Sequence, residues 1–516
     1  MNTDRDTATT PANLRALAER CARLATARGK ATLLSIAENH CGGCCVGGRA
    51  AEGEAFAYFE RRAEGLAVSA EGAVWQKTFG GAGRFAEARD ATRDLLQDAV
   101  LGGGAAATAF GKALFFAAFT FDDCPATDTD SGAAETGGAA NSAANRAASS
   151  AASIVFLPRL HIARMGEERV LVVNRLVAPE SDPAEIAAEI AADIAADLAQ
   201  LHRVTHDAPV PQAAESVPVA SPLCEIGGAW FPAAVENILG EVEAGVLRKA
   251  VLARAWRAHL DAPADIRSAL AFLRERYPEC HTFAFAPAAA FAPAAVPAAT
   301  FIGATPERLA VVEGGYLRTE AVAGTAARSA DPAEDARLAA KLLRDPKELR
   351  EHALVTDAIL DALRGIGADA HATAPASLLT LPHVRHLRTP VCAALPAGTH
   401  LLDVAAALHP TPATGGVPRA AALAAIRALE PAPRGFFAGP LGWFDAKGEG
   451  RLVVGLRSAL VAGTEVVFYA GAGIVAGASP QREDAETRAK LRAMTEAVFG
   501  AAPAPTAHPP SLATPP

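Results

Sequence analysis

A chain of 516 residues, 51% hydrophobic and 20% charged, is long enough to bury one large core or a few smaller ones, which excludes a small binding module. Its formal charge is −9, from 48 basic and 57 acidic residues, and the basic residues form no long run, so the footprint of a nucleic-acid binder is missing. A small anionic substrate stays compatible with that balance, because local charge in a pocket governs its binding.

The opening residues, Met1 to Ala16, lack the charged-then-apolar plan of a secretory signal, and no run of about 18 apolar residues follows anywhere. A cytoplasmic protein with no membrane partner is expected. The eight cysteines are sparse for the length, which fits reduced thiols. His40, Cys41, Cys44 and Cys45 cluster in a glycine-rich stretch, but no second Cys/His pair follows at zinc spacing, so ordinary thiols are favoured over a metal role. Residues 113–119 predict a strand. The Ser/Ala/Gly/Thr/Asp stretch at 124–153 has almost no large apolar side chain and predicts a disordered insertion. Structure resumes at Ile154–Pro158, and the Ala-Ala-Glu-Ile pattern near 184–201 predicts a helix. The Ala/Pro run at 286–299 and the tail at 501–516 read as loop or disorder.

From Phe231 to Gly500 periodic elements are dense. Strands are predicted at 250–253, 301–302, 452–454 and 465–469, and helices at 333–344, 346–364, 417–429 and 480–499. Strands set apart from helices, with hairpin-length gaps, favour an α+β fold with antiparallel sheets. The expected division is a divergent N-terminal part over 1–220 containing the insertion, a catalytic region over 221–500, and the tail.

The helix at 346–364 starts at an Asp345 N-cap with Pro346 in the first turn and Glu348 placed for a capping box. Its core stripe is predicted as Leu349, Ala353, Thr356, Leu360 and Leu363, which leaves Glu351 free to face another surface. In the last helix Glu483, Glu486 and Lys490 form one charged stripe. Alone, each of these reads as a solvated, charged face. Glutamates from two helices meeting across a pocket would instead supply hard oxygen ligands for Mg²⁺. Tyr469–Gly477 fits a loose dinucleotide fingerprint, but no room remains for a second βαβ unit, so a turn approaching an anion is expected there. Lys249, at the mouth of a strand, and Glu307, after Thr305-Pro306, are compatible with surface charge or with pocket chemistry.

Six motifs occur in one order: Phe301-Ile-Gly-Ala-Thr-Pro-Glu-Arg-Leu309, Thr319-Glu-Ala-Val-Ala-Gly-Thr325, Lys347-Glu-Leu-Arg-Glu-His352, His409-Pro-Thr-Pro-Ala413, Gly439-Pro-Leu-Gly-Trp443 and Gly471-Ala-Gly-Ile-Val475. That order resembles the chorismate-utilising enzymes: anthranilate, aminodeoxychorismate, isochorismate and salicylate synthases. The resemblance covers roughly residues 225–500 closely and the N-terminal third loosely. It implies large antiparallel sheets packed with outer helices around one deep pocket. By position, it implies Lys249 as the lysine that activates water and Glu307 as the acid that protonates the departing hydroxyl. Glu351 and Glu486 match Mg²⁺ ligands, with Glu483 as an outer partner. Gly324, Thr325, Arg457, Gly473 and Lys490 match substrate-contact positions, and His386 a pocket histidine. Phe437 stands where many relatives carry tyrosine, so a phenolic hydrogen bond to substrate is expected to be missing.

The residue types suit the substrate that this resemblance implies, chorismate, which carries two carboxylates and a poor hydroxide leaving group. A carboxylic acid held protonated helps the hydroxyl leave, and a neutral lysine helps water attack. Isochorismate synthase is the favoured activity, in a monomer or weak homodimer. Lys249 argues against the ammonia-using branch, which generally lacks it. The nearest alternative is salicylate synthase, whose members usually carry threonine where this chain has Ala413. A non-catalytic binding protein on the same fold is the alternative of another class, and retention of Lys249, Glu307, Glu351 and Glu486 weighs against it.

Overall fold

The computed structural model describes residues 10–39, 53–123, 152–207, 223–288 and 299–500. The cysteine cluster at 41–45, most of the expected insertion, much of the Ala/Pro run and the tail lie outside those residues.

Among the described residues the chain forms an α+β fold of two large sheets, one of 13 strands and one of 10, with helices packed outside them. Pairing is antiparallel throughout, except that Thr32–Asn39 runs parallel to Val100–Gly102. Both sheets turn phenylalanines inward. Phe59 of the larger sheet stacks on Phe116 of the smaller one and on Phe283 of its own, with ring centroids 6.4 Å apart in each pair. Each such buried ring contributes roughly 1.5–3 kcal/mol of transfer free energy, so this contact helps hold the two sheets together within one shared core.

Most predicted elements fall where their periodicity placed them, with informative departures. Ser153 is buried and already pairs with Phe79 in a strand, so ordered structure begins inside the range expected to be insertion. The helix expected from 417 begins at Arg419, because Val417 pairs with Lys249 at the edge of the larger sheet. Residues 469–475 form no anion-binding turn; they continue the Glu465–Val475 strand, paired along its length with Lys249–His259.

The Pro346–Gly365 helix departs most. Asp345 caps it, accepting from the Lys347 and Glu348 amides at 2.9 and 3.4 Å. No capping box closes, since the Glu348 carboxylate is held by the Thr325 amide and Arg482 instead. Its buried stripe is Glu348, Glu351, His352, Val355, Ile359 and Leu363, while Leu349 is exposed. The apolar stripe predicted from the sequence is therefore rotated, and Glu351 lies on the buried face. This helix rests on the Tyr316–Ala327 strand, and its first turns bury the charged side chains of Lys347, Glu348 and Glu351.

Candidate active site

Lys249 opens the Lys249–His259 strand and is 1% exposed. Its Nζ donates to Glu351 Oε1 at 2.8 Å. The cross-strand partner of Val251 is Gly473, and a Cβ there would lie 2.6 Å from Glu351 Oε1 and 3.0 Å from Lys249 Cε. The glycine in that strand is thus explained by the ion pair that crosses over it.

Glu307 follows the Thr300–Thr305 strand, buried at 5% exposure. Burial pushes its carboxyl pKa up to about 7, with Glu320 adding in the same direction, against the opposing pull of Lys249, the Thr411 hydrogen bond and Lys490. Near neutral pH this group holds a proton in part, as a general acid must.

Arg457 has a left-handed backbone, φ +46°, and a fully buried Nη1 without a hydrogen-bond partner. Its Nη2 meets His386 Nε2 at 2.7 Å. An arginine cannot accept, so this imidazole nitrogen must be the acceptor and the ring is neutral. Burial depresses the His386 pKa well below the ordinary value, and the charges of Arg457 and Lys490 depress it further. His386 Nδ1 in turn lies 3.2 Å from Thr325 Oγ1, across the register pair of those two residues. The free Nη1 donor, buried in a polar pocket, is suited to a ligand carboxylate.

In the Pro480–Phe499 helix, Lys490 donates to Glu486 at 2.7 Å and to the Gly471 carbonyl at 2.9 Å. Burial alone would raise the Glu486 carboxyl, but the Lys490 ammonium holds it below its ordinary value. Glu483, one turn earlier, is raised by burial and by the Glu486 charge, and pairs with Lys347 at 3.3 Å. Phe437 lies flat against Tyr469, ring centroids 5.2 Å apart at 13°, and brings no hydroxyl.

Lys249, Glu307, Gly324, Thr325, Glu351, His386, Ala413, Phe437, Arg457, Gly473, Glu486 and Lys490 all line one cavity. Glu483 stands apart from the lining, behind Glu486. Thr411, Thr414, Arg434 and Tyr469 were not singled out from the sequence, though all but Thr411 line the same cavity and Thr411 bonds Glu307. Thr411 and Tyr469 lie within motifs already noted, whereas Arg434 carries no spacing signal of its own.

Among the described residues no three Asp, Glu, His or Cys side chains gather closely enough to hold a metal ion by themselves. Glu351 and Glu486 nevertheless reach one cavity from two helices. Two carboxylates with room for water and ligand oxygens form the donor set that Mg²⁺ favours, so the residues fit that ion.

Residues 44–499 match the model of a family described as chorismate binding enzyme. The salicylate biosynthesis isochorismate synthase of Pseudomonas aeruginosa is 45% identical over 39% of this chain and 42% of its own length. Isochorismate synthase MenF of Bacillus subtilis is 32% identical over 67% of this chain and 69% of its own. The chain thus matches less than half of the first relative and about two thirds of the second. The crystal structure of DhbC from Bacillus anthracis superimposes with a TM-score of 0.64 at 25% identity, covering 86% of this chain and 96% of that one. The matched range includes every residue of the cavity, and the chain belongs to the chorismate-binding enzyme family.

Proposed function

We propose that this protein is an isochorismate synthase, converting chorismate to isochorismate reversibly by adding water at one ring carbon and expelling the hydroxyl from another. One observation carries the reading. A buried lysine and a carboxyl that keeps its proton toward neutral pH face the same cavity, beside an arginine with a donor to spare. Both curated relatives described above bear the name isochorismate synthase, which supports the same conclusion.

The chemistry follows from the side chains. Lys249, released from Glu351, serves as the base that takes a proton from the attacking water as the new C–O bond forms. Glu307 gives its proton to the departing hydroxyl as the old C–O bond breaks, so water enters and water leaves. Arg457 directs its free Nη1 at a substrate carboxylate, and the neutral His386 holds that guanidinium in place. Mg²⁺ bound by Glu351 and Glu486 would neutralise substrate carboxylate charge. Each proton transfer is worth about 10²–10⁴ in rate. Ala413 offers neither a hydroxyl nor steric pressure to position the enolpyruvyl group for elimination.

Purified protein with chorismate and Mg²⁺ should give a mixture of chorismate and isochorismate, approached from either side, with almost no pyruvate in a lactate dehydrogenase-coupled assay. Pyruvate rising in step with chorismate loss would replace this reading with salicylate synthase, and unchanged chorismate would refute it.

A further inference from the structure

Arg434 is buried in the cavity wall, its side chain 2% exposed, and its three nitrogens donate to three separate segments. Nη2 donates to the Val251 carbonyl at 2.6 Å, and Nε to Glu430 at 2.8 Å. Glu430 also accepts from the Ala253 amide at 2.7 Å. One ion pair therefore grips the strand that begins with Lys249 at two places. In the other direction, Nη1 donates to the Thr414 carbonyl at 2.8 Å. Thr414 closes a turn on Thr411, whose carbonyl accepts from the Thr414 and Gly415 amides at 3.0 and 2.8 Å. The Thr411 hydroxyl points from that turn to Glu307 Oε1, at a long 3.4 Å.

We propose that Arg434 is a positioning residue: with Glu430 it braces the Lys249 strand against the Thr411–Thr414 turn, so that Thr411 holds the Glu307 carboxyl in place opposite Lys249. This rests on the acid–base roles assigned above. The turn has a second tether beyond Thr414. Gly416 and Val417 pair with Ala250 and Lys249, and the Val251 amide donates to Gly415. Loss of the Arg434 bond thus frees the turn locally and leaves the sheet edge attached. Lysine cannot replace the guanidinium, since a single ammonium does not span Glu430 and two carbonyls set apart in a fork.

Glu307 faces Lys249 from its own strand, Glu320 from the Tyr316–Ala327 strand, Lys490 from the last helix and the Arg457 guanidinium. Thr411 is the neutral donor that favours the ionised form. Its withdrawal leaves Glu307 protonated to higher pH, so the alkaline limb of kcat should move upward.

The test uses Thr411→Val, Arg434→Lys and the double variant. Each single change should lower kcat about tenfold or more, with KM nearly constant, because misplacement of a proton donor acts on the chemical step. Both should shift the alkaline limb of kcat upward. The double variant should lose no more than the worse single one, since both act through one contact. Hydrogen–deuterium exchange without substrate should rise over residues 409–415 in Arg434→Lys and stay unchanged over 254–259, beyond the Ala253 amide that Glu430 holds. Multiplying losses in the double variant, or unchanged exchange in the turn, would overturn the proposal. If Arg434→Lys does not fold, Glu430→Gln weakens the same ion pair while keeping an acceptor for Ala253, and the same outcomes decide. The exchange measurement needs no turnover, so wild-type protein inert toward chorismate would refute the functional reading and leave the brace to be judged by exchange alone.

Discussion

Replacing Glu307 by glutamine should make the protein more stable in mild alkali while removing its activity. The carboxyl titrates near about 7 in the folded protein, against an ordinary 4.5, chiefly because burial disfavours its charge. The folded state therefore binds the proton more tightly than the unfolded chain. The stability this group contributes is fully present below about 4.5 and is lost as pH rises through about 7. That gap corresponds to roughly 3 kcal/mol at full ionisation. Glutamine mimics the protonated acid and titrates nowhere, so the variant escapes the loss. Unfolding entropy of about 2 cal/mol/K per residue puts the difference near ~3 °C in Tm for a chain of this length. Scanning calorimetry at pH 5 and pH 8.5 measures it: the two proteins should melt almost together at pH 5 and separate at pH 8.5, the variant higher. Other titrating groups, Glu483 among them, are common to both proteins and cancel. Chorismate turnover of the variant should fall by about 10²–10⁴. A Tm difference independent of pH, or a variant less stable at pH 8.5, would show that Glu307 is ionised in the native protein and cannot be the acid.

Two more outcomes follow from the geometry. Glu351→Gln or Glu486→Gln should nearly abolish both turnover and calorimetrically detected Mg²⁺ binding while the far-ultraviolet circular dichroism stays unchanged, and EDTA should act reversibly on the wild type; full activity in metal-free buffer would remove the ion from the site. Gly473→Ala would set a methyl group 2.6 Å from Glu351 Oε1, so the Lys249–Glu351 pair must give way, at a cost of about 1–3 kcal/mol locally, and turnover should fall at least about tenfold. Activity within twofold of wild type would show that this ion pair is loosely held.

The sequence by itself determined the class of fold and named many of the residues that line the cavity, though not all of them. Strands such as 465–469 and helices such as 480–499 announce themselves through local periodicity and capping, which depend only on near neighbours. The family resemblance that the ordered motifs carry implied one pocket shared by Lys249, Glu307, Glu351 and Glu486 before any geometry was known. Tertiary structure decided what those residues do to one another. The rotation of the Pro346–Gly365 helix could not be read from its own apolar residues, because its buried face carries two glutamates and a histidine whose partners lie on other elements: Lys249, Thr325, Arg482 and Thr389. Periodicity assumes that buried means apolar, and a helix that carries charge to a cavity breaks that assumption. Gly473 looked like part of a turn from sequence, since nothing local reveals the Lys249–Glu351 pair that occupies the space of its missing side chain. Arg434 stayed hidden for the same reason: its bonds to Val251, Thr414 and the Phe121 ring join segments about 180, 20 and 310 residues away, and only the folded chain brings them together.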